Sequence, residues 1–308
     1  MNKLKQLQNR FAAQNYIFFE QLENGIILIK VDHPLATATV SLEGGQVLAW
    51  QPKSQSIPVL WSSEPRHWIK GHALRAGVPI CWPWFGAHPN HSDLPAHGYA
   101  RISSWEVTDI SMSLSGAVEI TMSMLAKHEV PEAGIVSAQL SVRISVSDTL
   151  SITLSSTNNG NQPIRLTEAL HAYFNVSDIH DVRIDGLSDY QYVDLIDQQA
   201  IKTQQGDIKF SGETGRVYLN TQHDCLMIDQ AYNRTIKIEK SGIQSTVVWN
   251  PWLETASKMN DLGPLAWKKM VCVESANALE NSVDLHPGEQ HTLTVRYSID
   301  TIDLNGER

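Results

Sequence analysis

Cysteine is scarce in this 308-residue chain, and Cys81, Cys225 and Cys272 are far apart, odd in number and form no CxxC pair. Neither a disulfide framework nor a zinc site is suggested by that spacing, and free thiols fit a reducing compartment. Long apolar runs are missing as well. No stretch approaches the roughly 20 apolar residues that a bilayer-spanning helix needs. The first twenty residues, MNKLKQLQNRFAAQNYIFFE, lack a long apolar core and a small-residue cleavage site, so secretion is not expected and a cytoplasmic protein is. Basic residues are too few to balance the acidic ones, leaving a formal net charge of −9. Such a balance argues against a nucleic-acid partner, and a phosphate ligand would require cations gathered locally. GxSxG, GxxxxGK[ST], GxGxxG and HExxH are all absent, which weighs against serine hydrolases, NTPases, dinucleotide oxidoreductases and zincins.

What is present is a full complement of core-forming residues, 42% hydrophobic against 19% charged, spread along the whole length. Strict alternation is the clearest pattern. Ser141, Arg143, Ser145 and Ser147 interleave with Val142, Ile144 and Val146. After Asp148-Thr149, Leu150, Ile152 and Leu154 alternate with Ser151, Thr153 and Ser155. Period two places one face on a core, and the short polar interruption reads as a hairpin. Further β-rich runs are Ile26 to Val31, Ala36 to Leu42, Val118 to Met124, Val182 to Ile184, Thr235 to Ile238, Thr246 to Trp249 and Thr292 to Tyr297. Helical periodicity is nearly confined to Leu4 to Ala13. Many short strands with turn punctuation predict an all-β fold, a large antiparallel β-sandwich. No linker or repeat divides the chain, so residues 1–308 are expected to form a single domain with residues 1–15 as a short helical extension. Irregular insertions are expected from Trp61 to Pro95 and from Pro251 to Trp267, both rich in Trp, Pro and Gly.

Three segments could carry chemistry. GHALRAGVPICWPWFGAHPNHSDLPAHGYARISSW, residues 71 to 105, sets Arg75, His97 and Arg101 among Trp82, Trp84, Phe85 and Tyr99. Aromatic faces suit the C–H surface of a sugar and arginine suits a phosphate; equally, prolines and tryptophans fill a core loop. In LTEALHAYFNVSD, His171 is either a satisfied core histidine or a proton donor working near neutral pH. In VCVESAN, Glu274 sits among Val271, Cys272 and Val273. A charge there is costly unless compensated, so it is either paired structurally or kept as a base of raised pKa.

Together RAGVPICWPWFG, LPAHGYAR, LTEALHAYF, TVVWNPW and VCVESAN, in that order, resemble the aldose 1-epimerase superfamily, and most closely its hexose-6-phosphate mutarotase branch. The resemblance runs from about Gly44-Gly45 to the closing strand near Tyr297. It implies a galactose-mutarotase-like β-supersandwich, with the site on a concave sheet face. It also implies that His171 is the general acid and Glu274 the general base, that Arg75 and Arg101 hold a phosphate, and that His97 contacts sugar hydroxyls or helps to place His171. The implied reaction opens and recloses the ring of a hexose 6-phosphate such as glucose 6-phosphate, with no metal and no cofactor; since no heptad or long amphipathic seam suggests assembly, a monomer is expected. Two departures bear on sugar selectivity. Ala96 stands where some relatives carry a substrate-contacting Gln, and Gly215 where the family often has an acidic residue, a contact that Glu213 could replace only at a different spacing. An epimerase of free aldoses and a non-catalytic carbohydrate-binding sandwich are the alternatives.

Overall fold

The computed structural model describes residues 2–88, 90–130 and 134–302; Pro89 of the aromatic segment and the ends of the 1–308 span lie outside them. The alternating segment forms neighbouring antiparallel strands, Gly134–Val146 and Leu150–Asn158, with Val146 opposite Leu150 across the expected hairpin. They belong to a nine-stranded antiparallel sheet that runs in space from Ile208–Lys209 through Val182–Asp185, Cys225–Asp229, Arg234–Ser241 and Gln290–Thr301. Beyond these lie Leu150–Asn158, Gly134–Val146, Val118–Val130 and Glu106–Met112. Val142, Ile144, Ile152 and Leu154 point inward and are buried. On the outer face, hydroxyls pair across strands, Thr153 with Thr294 and Ser155 with Thr292, each at 3.0 Å.

Facing it is an eight-stranded sheet in the order Ala200–Thr203, Gln191–Asp194, Thr214–Leu219, Ser245–Asn250, Met270–Asn277, Glu168–Leu170 and Ile80–Cys81, with Tyr173–Asn175 also paired to Met270–Asn277. Leu170, Tyr218, Val248 and Val273 from this sheet meet Ile120, Leu140, Leu154, Ile236 and Tyr297 in one contiguous apolar cluster. Each fully buried side chain of this size contributes about 1.5–3 kcal/mol, so the sandwich is a stiff platform. Every residue of Met270–Asn277 is buried, because loops cover the face turned away from the core.

Residues before 53 form a four-stranded meander, Ile17–Gln21, Ile27–Asp32, Ala36–Ser41 and Val47–Pro52. The N-terminal helix, expected to reach Ala13, spans Lys3–Arg10 and is capped by the Asn2 side chain, which accepts from the Lys5 N–H at 3.2 Å. The 61–95 segment is irregular apart from the 3-10 turn Pro65–His67 and the two-residue strand Ile80–Cys81. The 251–267 segment differs from expectation: it contains the helix Trp252–Ser257, whose Trp252 N–H is accepted by Asn250 Oδ1 at 2.9 Å.

At one end of the sandwich, His291 Nε2 reaches across to Glu168 Oε1 at 3.1 Å, with Gly242 O at 3.0 Å. The hydrogen bond to Glu168 raises the His291 pKa against the opposing effect of burial. A folded pKa above the unfolded value means this contact stabilises fully below about pH 6.5 and fades as pH rises through the folded pKa. Urea unfolding of wild type and His291→Gln is therefore expected to show a larger stability gap at pH 6 than at pH 9. An equal gap at both would remove the ionic contribution.

Candidate active site

Alternation along Met270–Asn277 sends Val271 and Val273 into the core and puts Cys272, Glu274 and Ala276 on the opposite face. On that face Val247 lies beside Glu274, Trp249 beside Cys272, and Gly215 beside Trp249. Ala169, Val217, Val247 and Ala276 form a floor of small side chains there. Small residues leave room above a sheet, and that room is the site.

His171 arrives by a break in strand pairing. Glu168–Leu170 and Tyr173–Asn175 both pair with Met270–Asn277, but between them the His171 N–H donates to Pro79 O at 2.9 Å and Ala172 O accepts from Val273 N–H at 3.3 Å. The irregularity turns the imidazole onto the same face as Glu274, with Nε2 and Oε1 3.4 Å apart. Both side chains are almost wholly buried, 9% and 2% exposed. Tyr173 stacks on the imidazole at 4.8 Å and 10°, while Trp249 and His97 meet it edge-on at 6.3 Å and 5.5 Å. The Tyr173 hydroxyl accepts from Arg75 Nη1 at 3.1 Å, and Arg75 Nε donates to Asp261 Oδ2 at 2.9 Å. From the aromatic segment, Arg101 Nη2 donates to the Ala96 carbonyl at 2.7 Å, whereas its buried Nε has no partner.

All five residues singled out from the sequence, Arg75, His97, Arg101, His171 and Glu274, line one cavity of about 380 Å³, with Phe85, Tyr173, Leu195, Gly215, Trp249 and Met259 completing its wall. A larger cleft of about 510 Å³ at His180, Arg183 and Lys209 contains none of the five. Asp261 and Tyr173, which orient Arg75, were not visible as partners in the sequence; Tyr173 shares a strand face with His171 by its two-residue offset, but Asp261 carries no local signal.

Burial dominates the electrostatics. It holds the Glu274 carboxyl well above the ordinary carboxylate range, and Arg101 draws it partly back. Burial also pushes the His171 imidazole well below its usual value, helped by the neighbouring His97 and then by the positive charge of Arg101 and Arg75. His97 is pushed down to about 3 by burial and by the same two arginines, so it is neutral. Its Nδ1 accepts from the Gly86 N–H at 3.2 Å, which leaves Nε2 as the protonated nitrogen and a hydrogen-bond donor. At the two departures, Ala96 uses its carbonyl on Arg101, and a side chain at Gly215 would meet Ile196 Cδ1 at 3.3 Å. Glu213 does not line the cavity; its Oε2 accepts from Thr255 Oγ1 at 2.7 Å.

The antiparallel sandwich is a galactose-mutarotase-like fold. The same fold is found in a crystal structure from Salmonella typhimurium provisionally described as a mutarotase, with a TM-score of 0.85, 30% identity and coverage of 96% of this chain and 99% of that one. Curated relatives provisionally named glucose-6-phosphate 1-epimerase include one from Escherichia coli strain K12, 36% identical over 255 residues (82% of this chain, 84% of the relative). Another, from Cenchrus ciliaris, is 34% identical over 262 residues, covering 82% of this chain and 78% of the relative. The sequence profile described as aldose 1-epimerase matches residues 28–298. The chain belongs to the aldose 1-epimerase family.

The loop bearing His97 and Arg101 depends on Gly98, at φ +71, where an added Cβ would lie 2.0 Å from Trp82 O. Gly98→Ala is expected to cost about 2–4 kcal/mol in urea unfolding, since neither backbone segment can yield cheaply. A cost under about 0.5 kcal/mol would show that the loop relaxes freely.

Proposed function

We propose that the protein interconverts the α and β anomers of a hexose 6-phosphate, glucose 6-phosphate first among them, by acid–base ring opening and closure. One observation carries the reading. Glu274 and His171 face each other at 3.4 Å on the wall of a cavity that also holds Arg75 and Arg101. The names of the relatives and the family of the chain support the same reaction. In this reading one group serves the anomeric hydroxyl and the other the ring oxygen of a single sugar.

Glu274 removes the proton of the C1 hydroxyl while His171 delivers one to the ring oxygen, so the C1–O5 bond breaks and the free aldehyde forms. Rotation about C1–C2 presents the other carbonyl face, and the two groups exchange roles on closure. Both protons are returned, no electrons are transferred, and neither a metal nor a redox cofactor is needed. A base of raised pKa is the more effective one near neutral pH, and burial supplies that property to Glu274.

Protonated His171 needs a different argument, because burial and the two arginines disfavour its charge. The pair holds its protons jointly, as carboxylic acid with neutral imidazole or as carboxylate with imidazolium. Arg101 favours the carboxylate. A phosphate dianion on Arg75 and Arg101 cancels much of the positive charge that depresses His171, and so favours the imidazolium. The substrate thereby assists the charge distribution its own reaction requires. In this reading His97 donates its Nε2–H to a sugar hydroxyl. We further propose that residues 1–308 act as one domain, since one apolar cluster extends from Leu7 to Tyr297, and that the enzyme works as a cytoplasmic monomer.

Polarimetry on freshly dissolved α-glucose 6-phosphate, with the spontaneous rate subtracted, tests the reaction directly. Glu274→Gln is expected to lower kcat by about 10²- to 10⁴-fold, while calorimetry shows sugar-phosphate binding nearly intact. Full activity in that variant would defeat the assignment. Arg75→Ala and Arg101→Ala are expected to raise KM for glucose 6-phosphate far more than for free glucose. Equal effects on both sugars would take the arginines out of the phosphate site.

A further inference from the structure

Cys272 stands two residues from Glu274 on the same strand face, and ring opening has no use for it. A ring nitrogen of His171, Cys272 Sγ and a carboxylate oxygen of Glu274 all lie within 4.8 Å of one another, and all three residues are buried. His171 Nδ1 and Glu274 Oε2 are buried without a hydrogen-bond partner. One nitrogen, one sulfur and one oxygen make a zinc-type donor set, with bonds of about 2.0–2.3 Å. Donors around a tetrahedral ion of that size stand roughly 3.3–3.7 Å apart, so side-chain shifts of about 1 Å would close the set. Three protein ligands leave a fourth position, and two of the three, His171 and Glu274, line the cavity. Hard ions such as Mg²⁺ prefer six oxygens and are ill matched to a thiolate.

We propose that His171, Cys272 and Glu274 form an inhibitory site for Zn²⁺ or another thiophilic divalent cation. The thiol proton leaves to solvent as Sγ bonds the metal, together with any proton the carboxyl–imidazole pair holds. Acid and base are then both occupied as ligands, and ring opening stops. A sugar phosphate and the metal compete for the same two side chains. The inhibitory part of this inference rests on the proposed roles of His171 and Glu274; the metal site itself does not.

Binding and activity are therefore measured separately on the full-length, metal-stripped protein. Competition with a chromophoric chelator is expected to show one Zn²⁺ per chain at this site, displaced by glucose 6-phosphate. Co²⁺ is expected to give a thiolate-to-metal charge-transfer band in wild type. Cys272→Ser and Cys272→Ala should each lose that band and weaken Zn²⁺ binding by about 10- to 100-fold or more, the loss seen when a ligand's supporting contacts alone are removed. In the polarimetric assay, Zn²⁺ should inhibit wild type competitively and reversibly by EDTA, Mg²⁺ should not, and Cys272→Ser should resist. Zn²⁺ binding unchanged in both cysteine variants would overturn the site, as would metal held instead by His88 and His91, whose rings lie 5.1 Å apart in the aromatic segment and whose alanine variants would then abolish it. Absence of the charge-transfer band in wild type overturns it without any variant. Should polarimetry show no turnover while Zn²⁺ binds through Cys272, the metal site stands and the proposed reaction falls.

Discussion

The site depends on burying an ionisable carboxyl beside an imidazole in the middle of a sheet. Glu274 is 1% exposed and His171 7%, in surroundings where an isolated charge would cost several kcal/mol. The protein does not pair this carboxyl with a structural cation; Oε2 is left without a partner. Such an arrangement is kept only where the surrounding structure fixes it. Here the fixing comes from Val247, paired beside Glu274 on one side, from the Leu170–Ser275 pairing next to it on the other, and from core residues Val271 and Val273 on the reverse face.

Support of the imidazole is equally specific. Its backbone is tied to Pro79, its ring lies against Tyr173, and Tyr173 is tied through Arg75 to Asp261. One chain of contacts thus joins the proton-handling ring to the guanidinium assigned to phosphate. Arg75 and His171 are linked through Tyr173 by contact as well as directly by charge.

Strands with one face in solvent were the legible part of the fold. Ser141 to Ser155 alternates cleanly because its polar side meets water. Thr214–Leu219 and Met270–Asn277 do not alternate in polarity, since both faces of each are largely covered, and their strand character had to be inferred from context. The Trp252–Ser257 helix has six residues, fewer than two turns, and no periodicity can declare it. At the site, each of the five residues singled out reaches the cavity because each sat in a motif of unusual composition. Asp261 could not be found that way: it lies 186 residues from Arg75, and nothing within the 251–267 segment singles it out. The Cys272 donor set was hidden for a related reason, because its third member, His171, comes from a break between two other strands.

Ala96 and Gly215 alter how much of the sugar the protein holds directly. With no side-chain amide at 96 and no acid at 215, the polar side chains on the wall besides Arg75, Arg101 and the Tyr173 hydroxyl are His97, His171 and Glu274, and the remaining lining is glycine, apolar or aromatic. Two of those three are assigned to chemistry, so orientation must come from stacking on Trp249 and Phe85 and from the anchored phosphate. A remote, unreactive group that fixes the reacting atoms raises the rate only if the connection between them is rigid. The sandwich supplies that rigidity, and in the proposed reaction the absence of side-chain contacts from 96 and 215 leaves more of the orientation to the arginines.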